Sequence, residues 1–598
     1  MQGLERTLFE VEYMDQSWFE MIDVRRRRFS QAVWIPLRAS KRNENAQSQG
    51  EIGFRESFFG AGSVAIQVSN RAIGEQLSWT DIGLPHHQGV VVTRKGYKPA
   101  ESFTTDDITQ VGIELVLAQN AGGGAPVEWH LNQDIVFALS LSREGDTWIC
   151  PTEDFIEVVR LRRNSGGRPE LMEIRSEFLK DYLAARSMAL RLSTYWSNVE
   201  IMKDASHICW PVNDSHLAVD GGRFEGRTSE IHEGGMPHGS EMAVFQFGRN
   251  DIDPQEDVPL MGPPNDQNID SESWRTRRTG GKLFRVEGEF WRDEWIEPAA
   301  ASPKVRGDQQ PSTNFYVVDA AGTKMSSKEL NDEDIGRWLW FDPRVITSLA
   351  NRRAGSLIWY TRETGGVAAS TSYGHVHFGV NEASLVTVYA FDVAKLPDWE
   401  QRIWQGHNVA PNGKVSAELL ASQVRASPAE TEAPEVKIVE LRDRLDIAAN
   451  ARFGAPLFRQ HESVTAILRA THRFRATDTA GLLSLAKDLA RLTADSINVS
   501  ALQALAPLKA GENRGSLKSL EHALSAFAGA DRARAAVGPL VGIYQLRLGD
   551  AHLPGEREAE AFALANVDNG SLPLSQGLQL LDSAVESLGM IAEILEGH

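Results

Sequence analysis

Four residues near the C-terminus combine reactive chemistry with close spacing: Tyr544, Arg547, Asp550 and His552, in the run Tyr544-Gln-Leu-Arg-Leu-Gly-Asp-Ala-His-Leu-Pro554. Histidine changes charge near neutral pH and can move protons as a general acid or base. Arginine keeps its charge and can hold phosphate oxygens with two parallel N–H donors. Together they suit cleavage of RNA without a metal, in which a ribose 2′-hydroxyl attacks the adjacent phosphate. In that chemistry His552 moves the proton, Arg547 meets the charge developing on the phosphate, and Asp550 orients the site. Tyr544, three residues before Arg547, shares its helical face and would line the groove. Five residues on a continuous helix leave Arg547 and His552 roughly 140° apart. Convergence therefore requires Gly549 to loosen the turn or the helix to end before His552, an ending that Pro554 suits. A plain structural arrangement also fits these residues: an Arg–Asp pair at a helix end beside an exposed His552.

The elements that must hold these residues are helical. From Val436 to His598 the chain has no Trp, one Tyr and abundant Ala and Leu. Apolar residues recur at helical spacing over Glu462–Arg473, Thr479–Leu492, Ser516–Phe527, Ala533–Leu546 and Ser575–Leu595. In the last of these Leu578, Leu580, Leu581, Ala584, Val585, Leu588, Ile591 and Leu595 form a broad apolar face. This reads as an all-helical bundle over 436–598.

An Arg followed by His at this spacing, late in a helical bundle and ahead of one long final helix, resembles the R-x4–6-H motif of the HEPN superfamily. The resemblance is confined to the C-terminal helical region. It implies a metal-independent endoribonuclease with no cofactor, an RNA substrate, and a homodimer formed through the bundle so that two motifs face one cleft. It assigns Arg547, His552 and Asp550 to catalysis and points to toxin-like or antiphage defence, with a protein or phage-derived trigger. Family members often carry a polar residue directly after the Arg. Here that residue is Leu548, and Asp550 would supply the polar group from a shifted position.

The remainder of the chain reads differently. Residues 1–298 hold strand-length apolar runs such as Gly62–Ser69, Gly89–Thr93 and Ile135–Ser140, separated by turn residues. Ala121–Ala125 reads as a loop. One substantial helix is expected over Glu173–Leu192, with Ser176 as a cap. Residues 299–313 have a linker composition, 314–422 form a second β-rich module, and 423–435 read as an exposed hinge. The expected architecture is an α+β multidomain chain: β-rich N-terminal and middle modules followed by an all-α C-terminal helical bundle.

Charge limits the possible partners. The 598-residue chain carries 62 Lys and Arg against 81 Asp and Glu, a net charge of −19. Such a surface does not coat nucleic acid, so RNA contact must be local. Even the segment from Val436 holds 17 basic against 19 acidic residues. The densest basic run is Arg25, Arg26, Arg27 and Arg28, a candidate phosphate contact. Arg160, Arg162, Arg163 and Arg168 form a second, with Arg160 and Arg162 on one strand face.

Other pairings favour structural roles. His375 and His377 could share a strand face as zinc ligands, as could His207 with Cys209 or His232 with His238, but no third ligand has suitable spacing. The acidic stretch 249–273 lacks the twelve-residue calcium-loop pattern. Trp338, Trp340, Trp359, Trp399 and Trp404 read as core. No P-loop, dinucleotide fingerprint or nucleophile elbow occurs. Two cysteines, no secretory signal and no long apolar run suggest a cytoplasmic protein without a membrane partner. Two further functions stay open: a non-catalytic dimerising scaffold, and a metal-dependent nuclease in the N-terminal portion.

Overall fold

A computed structural model describes residues 16–83, 91–93, 96–98, 101–104, 110–119, 127–210, 216–219, 221–233, 243–252, 255, 262–275, 281–308, 314–371, 373–507, 512–549 and 556–597. Ala121–Ala125, His238, Asp550 and His552 lie outside them. The chain divides into two compact units, 1–151 with 155–310, and 152–154 with 311–598. The architecture is α+β, with large antiparallel sheets in the N-terminal and middle parts and helices clustered toward the C-terminus.

The first unit is built on β1 (Trp34–Glu44), β2 (Arg55–Gln67), β3 (Gln110–Glu114), β4 (Glu128–Leu131), β5 (Ile156–Arg163), β6 (Pro169–Arg175), β7 (Met188–Met202), β8 (Gly222–His232) and β9 (Lys282–Ile296). The main sheet runs β8-β9-β7-β2-β1-β6-β5, extended by short strands at both ends, and β3 pairs with β2. Its long central strands β2 and β7 are buried on nearly every residue, so both faces are covered. The short helix α1 (Trp79–Ile82) packs on β2 and β7, and α2 (Ser176–Arg186) joins β6 to β7.

Helix α2 is shorter than its apolar spacing suggested. Glu173–Arg175 end β6, Ser187 turns the chain at φ 54°, and Met188–Leu192 open β7. A short apolar run buried on all sides has no period to separate strand from helix. Residues 299–308, linker-like in composition, are tied down. Asp181 on α2 accepts hydrogen bonds from Ser302 Oγ at 2.6 Å, Lys304 N at 2.9 Å and Val305 N at 3.2 Å. Alternation does put Arg160 and Arg162 together, since both reach Glu173.

The second unit joins a six-stranded antiparallel sheet, including Trp338–Phe341, Thr364–Ala368 and Val376–Val380, to the helical region. Its main helices are α3 (Pro434–Phe453), α4 (Thr479–Leu492), α5 (Ser516–Ala528), α6 (Ala530–Gly549), α7 (Glu556–Leu564) and α8 (Pro573–Glu596). Leu482, Leu485, Leu489, Leu540, Ile543, Leu580, Leu588 and Ile591 meet in its core. Helix α3 starts inside the expected hinge, with Pro434 at its first position, where the missing N–H costs nothing. Trp404 is fully buried, and Trp359 stacks on Phe474 at 5.7 Å. No helix among the described residues is long and apolar enough to cross a membrane.

Candidate functional site

Helix α6 turns Ala533, Ala536, Val537, Leu540, Ile543 and Leu546 into the core, a three-and-four spacing that leaves Tyr544 and Arg547 toward its edge. The helix is described as far as Gly549, two residues past Arg547. The Arg547 side chain is 29% exposed and forms an ion pair with Asp495. Its guanidinium lies 5.1 Å from the Tyr544 ring centroid, a cation–π contact. The hydrogen bond to Asp495 pushes the guanidinium pKa upward, so the charge is permanent. Leu548 is 44% exposed. The structure thus brings Tyr544 and Arg547 together, while Asp550 and His552 fall outside the described residues. Asp495, 52 positions upstream, carries no sequence signal linking it to Arg547.

The basic run belongs to the first unit and does not form one patch. Arg25 turns inward, its guanidinium 4.6 Å from the Phe224 ring. The carbonyls of Arg25 and Arg27 accept hydrogen bonds from Arg292. Arg26 and Arg27 are exposed. In the second basic segment, Arg160 and Arg162 meet Glu173, and Arg163 bridges Glu128 and Asp146. Those three cations are occupied by carboxylates.

A second candidate site, which no sequence motif marks, is a cavity of about 340 Å³ in the first unit. Strands β1, β2 and β7 form its floor. Register sets Arg38 beside Gly62 and Ser40 beside Gly60, with Tyr195 next in line. Gly60 and Gly62 admit α1 against the sheet: a Cβ at Gly60 would stand 2.3 Å from the Trp79 ring, and one at Gly62 2.3 Å from the Ile82 carbonyl. Phe58, Trp79, Phe103, Trp129 and Tyr195 supply aromatic walls, and Arg38, Asp81 and Glu114 supply charge. Trp79 packs against Tyr195 at 5.5 Å. The only sequence trace of this site is Gly60-Ala-Gly62 inside a strand, a signature of close backbone approach.

The Arg38 guanidinium lies 5.3 Å from the Trp129 ring centroid. Burial lowers its pKa, partly opposed by the Glu114 charge. Asp81 closes a capping box on α1, and both hydrogen bonds from Ser78, through N and Oγ, end on Asp81 Oδ2. The Tyr195 hydroxyl donates to Glu289 at 2.6 Å, and burial raises its pKa.

The paired histidines have protein partners. His375 meets Ser356 Oγ at 2.9 Å, and His377 meets the Gln423 side-chain amide at 2.6 Å. Among the described residues, no three His, Cys, Asp or Glu side chains are grouped to hold a metal ion. Comparison of the chain with protein-family models, curated proteins and solved structures returns no match.

Proposed function

We propose that the chain is a cytoplasmic, toxin-like or antiphage effector whose C-terminal helical region is a HEPN-like, metal-independent endoribonuclease, held in check by its β-rich portion until a trigger is sensed. In this reading Arg547 clamps the scissile phosphate, His552 moves the proton, Asp550 orients the site and Tyr544 lines the groove. Two copies meet through the bundle. The observation that supports the reading is the state of Arg547: a permanent cation, part exposed, backed by Tyr544 and held at the end of α6. Asp495 now occupies it, so RNA phosphate must displace that carboxylate, which suits a gated enzyme.

The test incubates purified full-length protein with RNA in EDTA. Cleavage leaving 2′,3′-cyclic ends is expected. His552→Ala lowers the rate by about 10²–10⁴-fold, the range for a general acid or base. Arg547→Ala lowers it by about 10²–10³-fold through lost charge stabilisation. RNA cleavage that both variants retain in full overturns the assignment. Activity abolished by EDTA moves the chemistry to a metal-dependent nuclease, and binding without cleavage leaves a scaffold.

A further inference from the structure

We propose that the groove between α3 and α8 seats a second copy of this chain, with the two α3 helices antiparallel across a two-fold axis. The inference deepens the two-copy arrangement put forward above, but none of its observations involves Arg547 or the motif around it.

Helix α3 carries apolar residues on two faces. Ile438, Leu445 and Ala449 are buried in the bundle, whereas Val439 and Ile447 face outward, Ile447 at 72% exposure. Ile447 lines a groove of about 630 Å³ together with Ala448 and Ala451 and with Leu595 of α8. An isoleucine next to two alanines is a knob beside a shallow hole. A second copy of the same surface offers the matching hole and knob, the self-complementarity that a two-fold contact requires.

Charge sets the direction. N-terminal to Ile447 the groove carries Glu440 and Asp443, both exposed and neither in an ion pair among the described residues. C-terminal to it lies Arg452, also exposed, whose guanidinium rests 4.9 Å from the Phe527 ring centroid and has no carboxylate partner among the described residues. Arg444 is already matched, by two hydrogen bonds to Glu596. The groove thus has an acidic end, an apolar centre and a basic end, with Asp443 and Arg452 about 13 Å apart along the helix. Parallel pairing in register would set Asp443 against Asp443 and Arg452 against Arg452. Antiparallel pairing about the Ile447–Ala448 midpoint sets each Asp443 against the partner's Arg452 and each Ile447 against the partner's Ala448. Exposed ion pairs add little affinity, so the apolar centre holds the copies together and the charges choose the register. A helix from another protein would need this same order of charges, which the chain itself already presents.

Sedimentation equilibrium of the full-length protein tests the proposal. A dimer is expected at about 50 μM, dissociating in the micromolar range. Asp443→Arg and Arg452→Asp should each weaken it at least about tenfold, because every copy then meets like charge at both ends. Mixing these two variants should restore a dimer, since each supplies the charge that the other lacks, and combining both changes in one chain should do the same. Ile447→Asp should leave monomer. Thermal melting of each variant is measured alongside, so that lost folding is told apart from lost association. The proposal is overturned by a parent that stays monomeric, by a dimer that Asp443→Arg and Ile447→Asp leave intact, or by a mixture that fails to recover. RNA cleavage is a separate readout: its absence from a parent that dimerises through this groove would sink the nuclease reading and leave the groove assignment standing.

Discussion

Arg473 in the second unit and Arg38 in the first each lie on a tryptophan ring, yet their surroundings differ. Arg473 is 2% exposed and its partner Glu435 5%. Glu435 accepts from Arg473 Nε at 2.9 Å, Nη2 at 2.7 Å and the backbone N at 3.2 Å, and the Arg362 carbonyl accepts from Nη1 at 2.9 Å. Trp359 lies 4.3 Å beneath the guanidinium. Arg362 in turn pairs with Asp582 on α8. Each group in this chain of contacts is answered by another, and the chain fastens the middle sheet to the helices. Arg38 has an aromatic ring and a nearby carboxylate, and its guanidinium is part exposed rather than buried. The contrast separates two settings for a cation on an aromatic ring: a buried one saturated by protein acceptors is scaffolding, and a part-exposed one beside a cavity is served by solvent.

The largest expected effect breaks the saturated case. Arg473→Gln leaves Glu435 buried without its counter-ion, which costs about 3–5 kcal/mol. Urea unfolding followed through the second unit should show a loss of stability of that size. Glu435→Gln added to the same variant should return part of the loss, because no bare charge then remains inside. A single variant within about 1 kcal/mol of the parent would mean that Arg473 is no scaffold, and the contrast with Arg38 would collapse.

These two arginines also mark how much the sequence disclosed. The switch at Val436 to Ala- and Leu-rich helical spacing was legible, and Thr479–Leu492 is a helix with those same bounds. Leu357–Thr361 marks the strand Ser356–Trp359 nearly as closely. Helix α3 was not legible as an amphipathic element, because Glu435 and Arg442 interrupt its buried face while Val439 and Ile447 are exposed. The cavity was invisible for a different reason. Arg38, Trp79, Glu114 and Tyr195 are far apart in the chain and converge only through strand register, which no local pattern encodes. At the proposed nuclease corner, Arg547 and Tyr544 could be paired by helical spacing, whereas Asp495 could not.

A second buried charge inside the second unit sharpens the comparison. Glu400, in the helix Asp398–His407, is 2% exposed and its Oε2 has no hydrogen-bond partner among the described residues. Burial first, and then the nearby Asp154 charge, lift its carboxyl from 4.5 to about 7. The folded protein therefore keeps this proton to about pH 7, whereas the unfolded chain releases it near 4.5. Stability from this group is full below pH 4.5 and lost as pH rises through 7, a decline of about 3 kcal/mol. His472 runs the opposite way. Burial lowers its pKa from 6.5 to about 4, so its contribution is full above pH 6.5 and lost as pH falls through 4. Between 4.5 and 6.5 the two slopes oppose each other. Glu400→Gln should uncover the histidine slope, so that the variant gains stability with rising pH across that window while the parent stays nearly level. Identical pH profiles for the two proteins would show that Glu400 ionises normally.

The smallest expected effect tests the part-exposed case directly. Arg38→Gln removes a cation–π contact with Trp129, worth about 0.5–1 kcal/mol. It also removes the cost of partly burying a guanidinium, which the Glu114 charge offsets in part. The two changes have opposite sign. The variant should stay within about 1 kcal/mol of the parent in urea unfolding of the first unit. A loss as large as that expected for Arg473→Gln would make Arg38 a structural cation after all. A near-neutral result, set against the collapse expected at Arg473, would place the distinction in the partners and the burial of each arginine together.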